Sequence, residues 1–321
     1  MKISPLNYSY QAYRPTFKSS NWVSGTKDRI LIHETAFFRE PETDEFVKNY
    51  LVDNFLSKNC PINMLIGACS SGEEVYTQAM LYDDFKDMVD ITGFDISNEA
   101  VEIAKEGLYR INKNHLNRST EDSCLYKDSY LAFNEPLLMS RRQKRYLEYF
   151  REYFCDFSTG ATNSKLESKN ETPAYCREKK FFALKKGKAQ NCKFKQGNIL
   201  DLSPFYQNKK NHVIFFRNAM YHLVCDFALG GTSRGSKKNS EETIRKIAQE
   251  MNKSLICGGL VVFGEKEKQE GVDTKAVYEI MKEEGFEPLN TVYRLESERR
   301  KHPYDYTFQE DEYTNVWRKI R

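Results

Sequence analysis

The sequence has 321 residues, 40% of them hydrophobic and 30% charged, with a formal net charge of +3 and a mean hydropathy of −0.70. That length suits one large domain with insertions or two small ones, and so small a net charge gives no reason to expect a nucleic-acid partner. No apolar run approaches the ~18 residues of a transmembrane helix, the opening MKISPLNYSY lacks an apolar signal core, and the eight cysteines show no C-x-x-C spacing; the expectation is a cytoplasmic protein with no membrane insertion and no metal.

In chain order, the first unusual stretch is IHETAFFREPETDEF at 32–46, where Phe37 and Phe38 sit between Thr35, Arg39 and a run of carboxylates. It makes a poor amphipathic helix and is too apolar for a surface loop. Five short apolar runs follow, each ending in small or polar residues: Met64–Ala68, Ile91–Asp95, Cys192–Asn198, His212–Asn218 and Leu260–Glu265. Helical patterns lie between several of them. Glu74–Leu81 follows the first. Ala100, Val101, Ala104, Leu108 and Ile111 make one apolar face after the second, and Ile244, Ile247, Ala248, Met251 and Leu255 make another before the last. Strand–helix alternation of this kind predicts an α/β fold, a mostly parallel sheet with helices on both faces. Gly285 introduces a late strand in FEPLNTVYRL.

Residues 113–191 break the alternation and read as an inserted subdomain: a helix in SRRQKRYLEYFREYF (140–154), a polar tract (158–173), and a hairpin in KKFFALKKGKAQNCKFKQ (179–196). The insertion is net basic, so Lys185, Lys186 and Lys188 are expected to attract an acidic acceptor. A second, Gly/Ser-rich break covers 229–240. The domain reading is a 1–60 N-terminal segment followed by a 61–321 sheet domain carrying the insertion.

The chemistry concentrates in MLIGACSSGEEVYTQAM (64–80), where a strand runs into Gly67, a small-residue turn reaches Gly72, and a helix opens at Glu73. Glycines let the backbone turn sharply and a ligand approach closely. Carboxylates at Glu73 and Glu74 in the first helical turn favour the helix dipole and disfavour an anion, so a ligand with a cationic group fits better. Asp95 ends the second strand, where an acid can accept hydrogen bonds from both hydroxyls of a ribose. A nucleoside with an amino group suggests S-adenosylmethionine; Glu73 and Glu74 as plain helix-start residues and Asp95 as a helix cap are the alternative.

GACSSGEEVYTQAM resembles the S-A-G-C-S-T-G-E-E-P-Y-S-x-A-M segment of the CheR family, the chemotaxis-receptor glutamate O-methyltransferases. HETAFFRE is similar to that family's N-x-T-x-F-F-R, FDISNEAVEIAKEGLYR to its D-I-D-x-x-x-L-x-x-A-x-x-G-x-Y, VIFFRNAMYHL to V-I-F-C-R-N-V-x-I-Y-F, and CGGLVVFGEKE to P-G-G-L-L-x-x-G-H-S-E. The resemblance implies a Rossmann-like S-adenosylmethionine-dependent methyltransferase sheet, with S-adenosylhomocysteine as product. It implies cofactor contacts at Thr35, Arg39, Gly67, Glu74, Asp95, Asn198, Arg217 and Asn218. Arg39, Tyr221 and His222 are expected to orient the reactants, and Phe37 and Phe38 to close over the cofactor. The implied acceptor is a protein glutamate in an acidic segment such as a chemoreceptor-like helix. Three departures stand out. His33 replaces the family's Asn, His222 takes the place of its active-site Tyr with Tyr221 one residue earlier, and the stretch before residue 32 shows no receptor-docking helical domain. Methylation of another acceptor, or a module that binds the cofactor without catalysis, are the alternatives.

Overall fold

The computed structural model describes residues 35, 37–112, 141–156, 179–224, 226–228, 231–233, 237–264, 272–289 and 315–321. His33, the 158–173 tract and residues 229, 230 and 234–236 lie outside them. Thr35–Arg321 form one compact unit.

The chain order is α1 (Pro41–Asn54), β1 (Ile62–Gly67), α2 (Glu73–Leu81), β2 (Val89–Asp95), α3 (Asn98–Glu106), β3 (Leu108–Asn112), α4 (Arg141–Tyr153), β4 (Phe154–Asp156), β5 (Lys179–Leu184), β6 (Cys192–Gln196), α5 (Ser203–Tyr206), β7 (Asn211–Phe216), α6 (Tyr221–Val224), β8 (Asp226–Ala228), β9 (Gly231–Ser233), α7 (Lys237–Ser254), β10 (Leu255–Phe263), α8 (Thr274–Glu283), β11 (Phe286–Pro288) and β12 (Val316–Lys319). Seven strands form the main sheet in the order β11-β12-β10-β7-β1-β2-β6. β12 runs antiparallel to both its neighbours, while β10, β7, β1, β2 and β6 are mutually parallel. All six residues of β1 and of β7 are buried, as expected of parallel strands covered on both faces.

Alternate side chains feed two cores. Met64 and Ile66 of β1, Val213 and Phe215 of β7, and Leu260 and Val262 of β10 pack with Val47 and Leu51 of α1 and with Val75, Ala79 and Met80 of α2. Leu65, Ile214, Val261 and Trp317 point the other way, onto Ile244, Ile247 and Met251 of α7 and Val277, Ile280 and Met281 of α8. This is the expected Rossmann-like α/β architecture. Strand order reverses between β1 and β7, which creates a switch-point crevice outside their carboxyl ends, where ligands bind in such sheets.

Two sequence expectations change. The apolar face read through Ala100, Val101, Ala104, Leu108 and Ile111 is not one helix. Ser97 caps α3 by accepting a hydrogen bond from the Ala100 N–H, and Gly107, at φ 59, ends the helix in the left-handed conformation that glycine favours. Leu108 and Ile111 therefore lie on β3. Nor do residues 179–196 form a hairpin. β5 is the centre of a separate antiparallel sheet, β3-β5-β4, whereas β6 is the edge of the main one. The small sheet thus reaches back to Leu108, ahead of the expected insertion start at 113.

At the amino ends of β1 and β7, His212 Nδ1 accepts the Asn63 N–H at 3.1 Å, and its ring sits edge-on to Phe55. Burial, helped by nearby Lys209, holds its pKa down to about 4. The folded state thus favours neutral imidazole. The stabilisation is complete above the unfolded value near 6.5 and is lost as pH falls through 4. The stability gap between the protein and His212→Asn is expected to narrow by about 2–3 kcal/mol from pH 7.5 to 4.5, measured by urea unfolding. A gap that stays constant would mean the imidazole is solvated.

Candidate functional site

The turn from β1 to α2 is held in an unusual conformation. Ala68 and Ser70 have φ of 53° and 48°, and Gly72 has 93°. Non-glycine residues in this region carry strain that the surroundings must offset, and several contacts do so. The Cys69 N–H donates to Phe94 O at 3.0 Å and the Gly72 N–H to Cys69 O at 2.9 Å. The Tyr109 hydroxyl, reaching over from β3, donates to Ser71 O at 2.7 Å. At Gly67 an added Cβ would lie 2.8 Å from the Phe94 ring, so any side chain there would have to displace that ring.

Asp95 ends β2 facing this turn. Its Oδ2 accepts the Ser70 N–H and its Oδ1 the Ser97 N–H, both at 2.9 Å. The carboxylate is therefore fixed in rotation, and each oxygen retains lone-pair capacity for a further donor. Ile96, the next residue, is 54% exposed, one of two large hydrophobic side chains so placed among the described residues. Sequence reading missed Ile96, because nothing in one sequence separates an exposed isoleucine from a buried one.

Glu73 is buried, with the Ser71 hydroxyl donating to its two oxygens at 2.8 and 3.0 Å. Burial pushes its pKa up to about 7, against the pull of the Ser71 hydroxyl, its own backbone hydrogen bond, the Arg39 charge and the Thr35 side chain. Glu74 accepts from Arg217 Nε at 2.6 Å. The Arg217 Nη2 also pairs with Asp44 at 3.0 Å, and its Nη1 lies 3.6 Å from Glu40. Three carboxylates therefore surround one guanidinium at the switch point. Burial works against the Arg217 charge, but Asp44, Glu74 and Glu40 hold its pKa above the ordinary value. Asn218, at φ 53, reaches Glu40 at 3.5 Å and packs on Gly264, where a Cβ would lie 2.2 Å from its side-chain oxygen. Asp44 and Glu40 were not singled out in the sequence; as acids beside a surface-like PET run they carry no local signal.

The remaining expected residues fall differently. Asn198 is exposed, and its Oδ1 accepts the Leu200 N–H, which shapes the turn after β6. Tyr221 is buried in the core beneath α7, with the His222 ring 3.9 Å away, centroid to centroid; half-buried His222 is the more accessible of the two. Phe37 and Phe38 do not form a cover. Phe37 packs edge-on against Tyr109, Phe150 and Phe154. Phe38 stacks on Tyr146 and donates its N–H to Thr77. Both are apolar anchors that fix the loop carrying Thr35 and Arg39 to α2 and α4. The lysines expected to face an acceptor are also displaced. The 185–191 loop leads from β5 to the amino end of β6, beside the amino half of β2, where the Ile91 N–H donates to Asn191 O. It lies about 20 Å along the strand from Asp95, and Lys188 is engaged by Glu152 and Asp83.

The donor set suits a cofactor with a ribose and a cationic end: a pinned acid, an exposed apolar neighbour and a surplus of carboxylates at the crevice. The fold is a Rossmann-like α/β sheet with a switch-point crevice. Residues 33–129 match the family described as "CheR methyltransferase, SAM binding domain", so this segment is of the CheR type and its cofactor is S-adenosylmethionine. A chemotaxis protein methyltransferase of Borreliella burgdorferi is 33% identical over 93 residues, which are 26% of this chain and 33% of the relative. One from Campylobacter jejuni is 40% identical over 87 residues, 26% and 31% of the two chains. The chain thus spans about a third of the length of the curated relatives it matches. Among solved structures, the DszA carbon methyltransferase aligns with a TM-score of 0.41 at 9% identity, over 87% of this chain and 54% of that one.

Proposed function

We propose that this protein transfers a methyl group from S-adenosylmethionine to a carboxylate of a protein acceptor, a glutamate side chain, as the CheR resemblance implies. The observation that carries the reading is the switch-point crevice in which Asp95 is locked by two backbone N–H groups beside a carboxylate-rich wall. Asp95 would take the ribose hydroxyls, with Ile96 beneath the base and Asn198 at the neighbouring turn. The chain's small-residue turn from Gly67 would admit the amino-acid portion, with Glu74, backed by Arg217 and Asn218, meeting its ammonium and Thr35 and Arg39 its carboxylate. When bound, the cofactor supplies an electrophilic methyl group. An acceptor carboxylate is already ionised at neutral pH, so no strong general base is required. Arg39 and His222, rather than the core-packed Tyr221, would align the acceptor oxygen, and orientation would supply most of the acceleration. An acidic protein segment at the carboxyl ends of the strands is the partner of this reading. No described helix is long and apolar enough to cross a membrane.

Calorimetry is expected to show stoichiometric S-adenosylhomocysteine binding. Tritiated cofactor with a chemoreceptor fragment is expected to give base-labile, volatile label, the signature of a methyl ester. Binding with no transfer to any protein in a lysate would leave a cofactor-binding module, and base-stable label would identify a different acceptor atom.

A further inference from the structure

Of the four charged groups joined at the switch point, Arg217 and Asp44 each keep 1% of their side chain accessible, Glu40 6% and Glu74 12%. The negative surplus therefore reaches the crevice through Glu74. What Glu74 can offer a ligand depends on how strongly Arg217 claims it, and Asp44 competes for the same guanidinium. Asp44 Oδ1 takes both Arg217 Nη2, at 3.0 Å, and the Gln78 amide, at 2.8 Å. Its second oxygen, Oδ2, has no hydrogen-bond partner among the described residues, and neither has Gln78 Oε1. A fully buried carboxylate with an unsatisfied oxygen is costly to the fold. Burial accordingly pushes Asp44 up to about 6 despite Arg217, with Glu74 and Glu40 adding repulsion and Gln78 opposing it. The nearby Tyr82 hydroxyl is pushed well up by burial and by Asp44. Stability alone does not account for an acid in that position.

We propose that Asp44 is a positioning residue for the cofactor: it draws off the Nη2 edge of Arg217, so that the guanidinium meets Glu74 through Nε alone and Glu74 remains the anionic group that receives the ligand's ammonium. This rests on the cofactor reading above. The step is electrostatic. Removing the Asp44 charge leaves Arg217 to neutralise Glu74 more fully, in a buried setting where screening by salt is weak.

The test compares two ligands that share the nucleoside. S-adenosylhomocysteine carries the amino-acid ammonium; 5′-methylthioadenosine does not. In Asp44→Asn, affinity for S-adenosylhomocysteine is expected to fall about tenfold, 5′-methylthioadenosine affinity to stay within twofold, and the thermal midpoint of the ligand-free protein to rise. Asp44→Glu, which keeps the charge, is expected to restore most of the lost affinity. Should Asp44→Asn not fold, the smaller neutral Asp44→Ser carries the same comparison. Equal losses for both ligands, or a lowered midpoint, would make Asp44 a structural partner of Arg217 and overturn the proposal, as would unchanged S-adenosylhomocysteine binding. If the unaltered protein binds neither ligand, the cofactor reading itself falls and the role of Asp44 with it.

Discussion

Asp95→Ala is expected to weaken S-adenosylhomocysteine binding by about 2–3 kcal/mol, or roughly 30- to 150-fold. Two ribose hydroxyls would lose a charged acceptor, and hydrogen bonds to charged groups are the stronger class. The same change leaves the Ser70 and Ser97 N–H groups without the oxygens they now reach at 2.9 Å. Ser70 is buried and already at φ 48, so its loop loses the contact that offsets its strain. An unsatisfied buried donor costs about 1–3 kcal/mol, and a drop of about 2–4 kcal/mol in unfolding free energy is expected beside the affinity loss. Asp95→Asn separates the two effects. Its Oδ1 can still accept one N–H while its amide nitrogen faces the other, so part of the stability loss remains as the charge is lost, and both stability and affinity should fall to intermediate values. Calorimetry showing wild-type affinity in Asp95→Ala would move the ribose elsewhere and with it the whole site.

That acid was legible in the sequence because its meaning is local: a β-rich run, an aspartate at its end, and a helix after it. The Gly67–Glu74 turn was legible for the same reason. The charge cluster was not. Glu40 and Asp44 at the start of α1, Glu74 on α2 and Arg217 after β7 come from three separate places in the chain, and only the sheet's switch point brings the three together. Phe37 and Phe38 were visible as an anomaly but misread as a cover, since sequence cannot say that α4 supplies Tyr146 and Phe150 to bury them. The basic loop at 185–191 was placed beside the acceptor on its charge and on its position ahead of Asn198; register decides where it lies, and β2 with β6 sends it to the far end of the sheet. The end of the chain fared worst. α8 opens with a legible cap, Asp273 accepting the Ala276 N–H, yet it drew no notice, and β12 is four residues long with charged neighbours, too short for an alternating pattern to stand out.

Trp317, in that unnoticed strand, is expected to be the most costly core residue to truncate. It is 1% exposed. It pairs across β12 with Val261 on one side and Pro288 on the other, and Tyr278 of α8 meets its ring edge-on at 5.5 Å. Its indole packs between the sheet and α8. Trp317→Ala should therefore lose about 3–5 kcal/mol, the transfer energy of the ring plus the cavity it leaves, and lower the unfolding midpoint by on the order of 10 °C. The site should survive at low temperature. Trp317 faces the α7–α8 side, whereas Val316 faces the α1–α2 side and Asn315 holds the link to Thr43 at 2.8 Å, one residue from Asp44. S-adenosylhomocysteine affinity at 10 °C within about threefold of wild type, together with the lowered midpoint, is the expected pair of results. A loss under about 1 kcal/mol would show that β12 does not close the sheet in solution, and an intact midpoint with lost affinity would mean that the strand serves the site rather than the core.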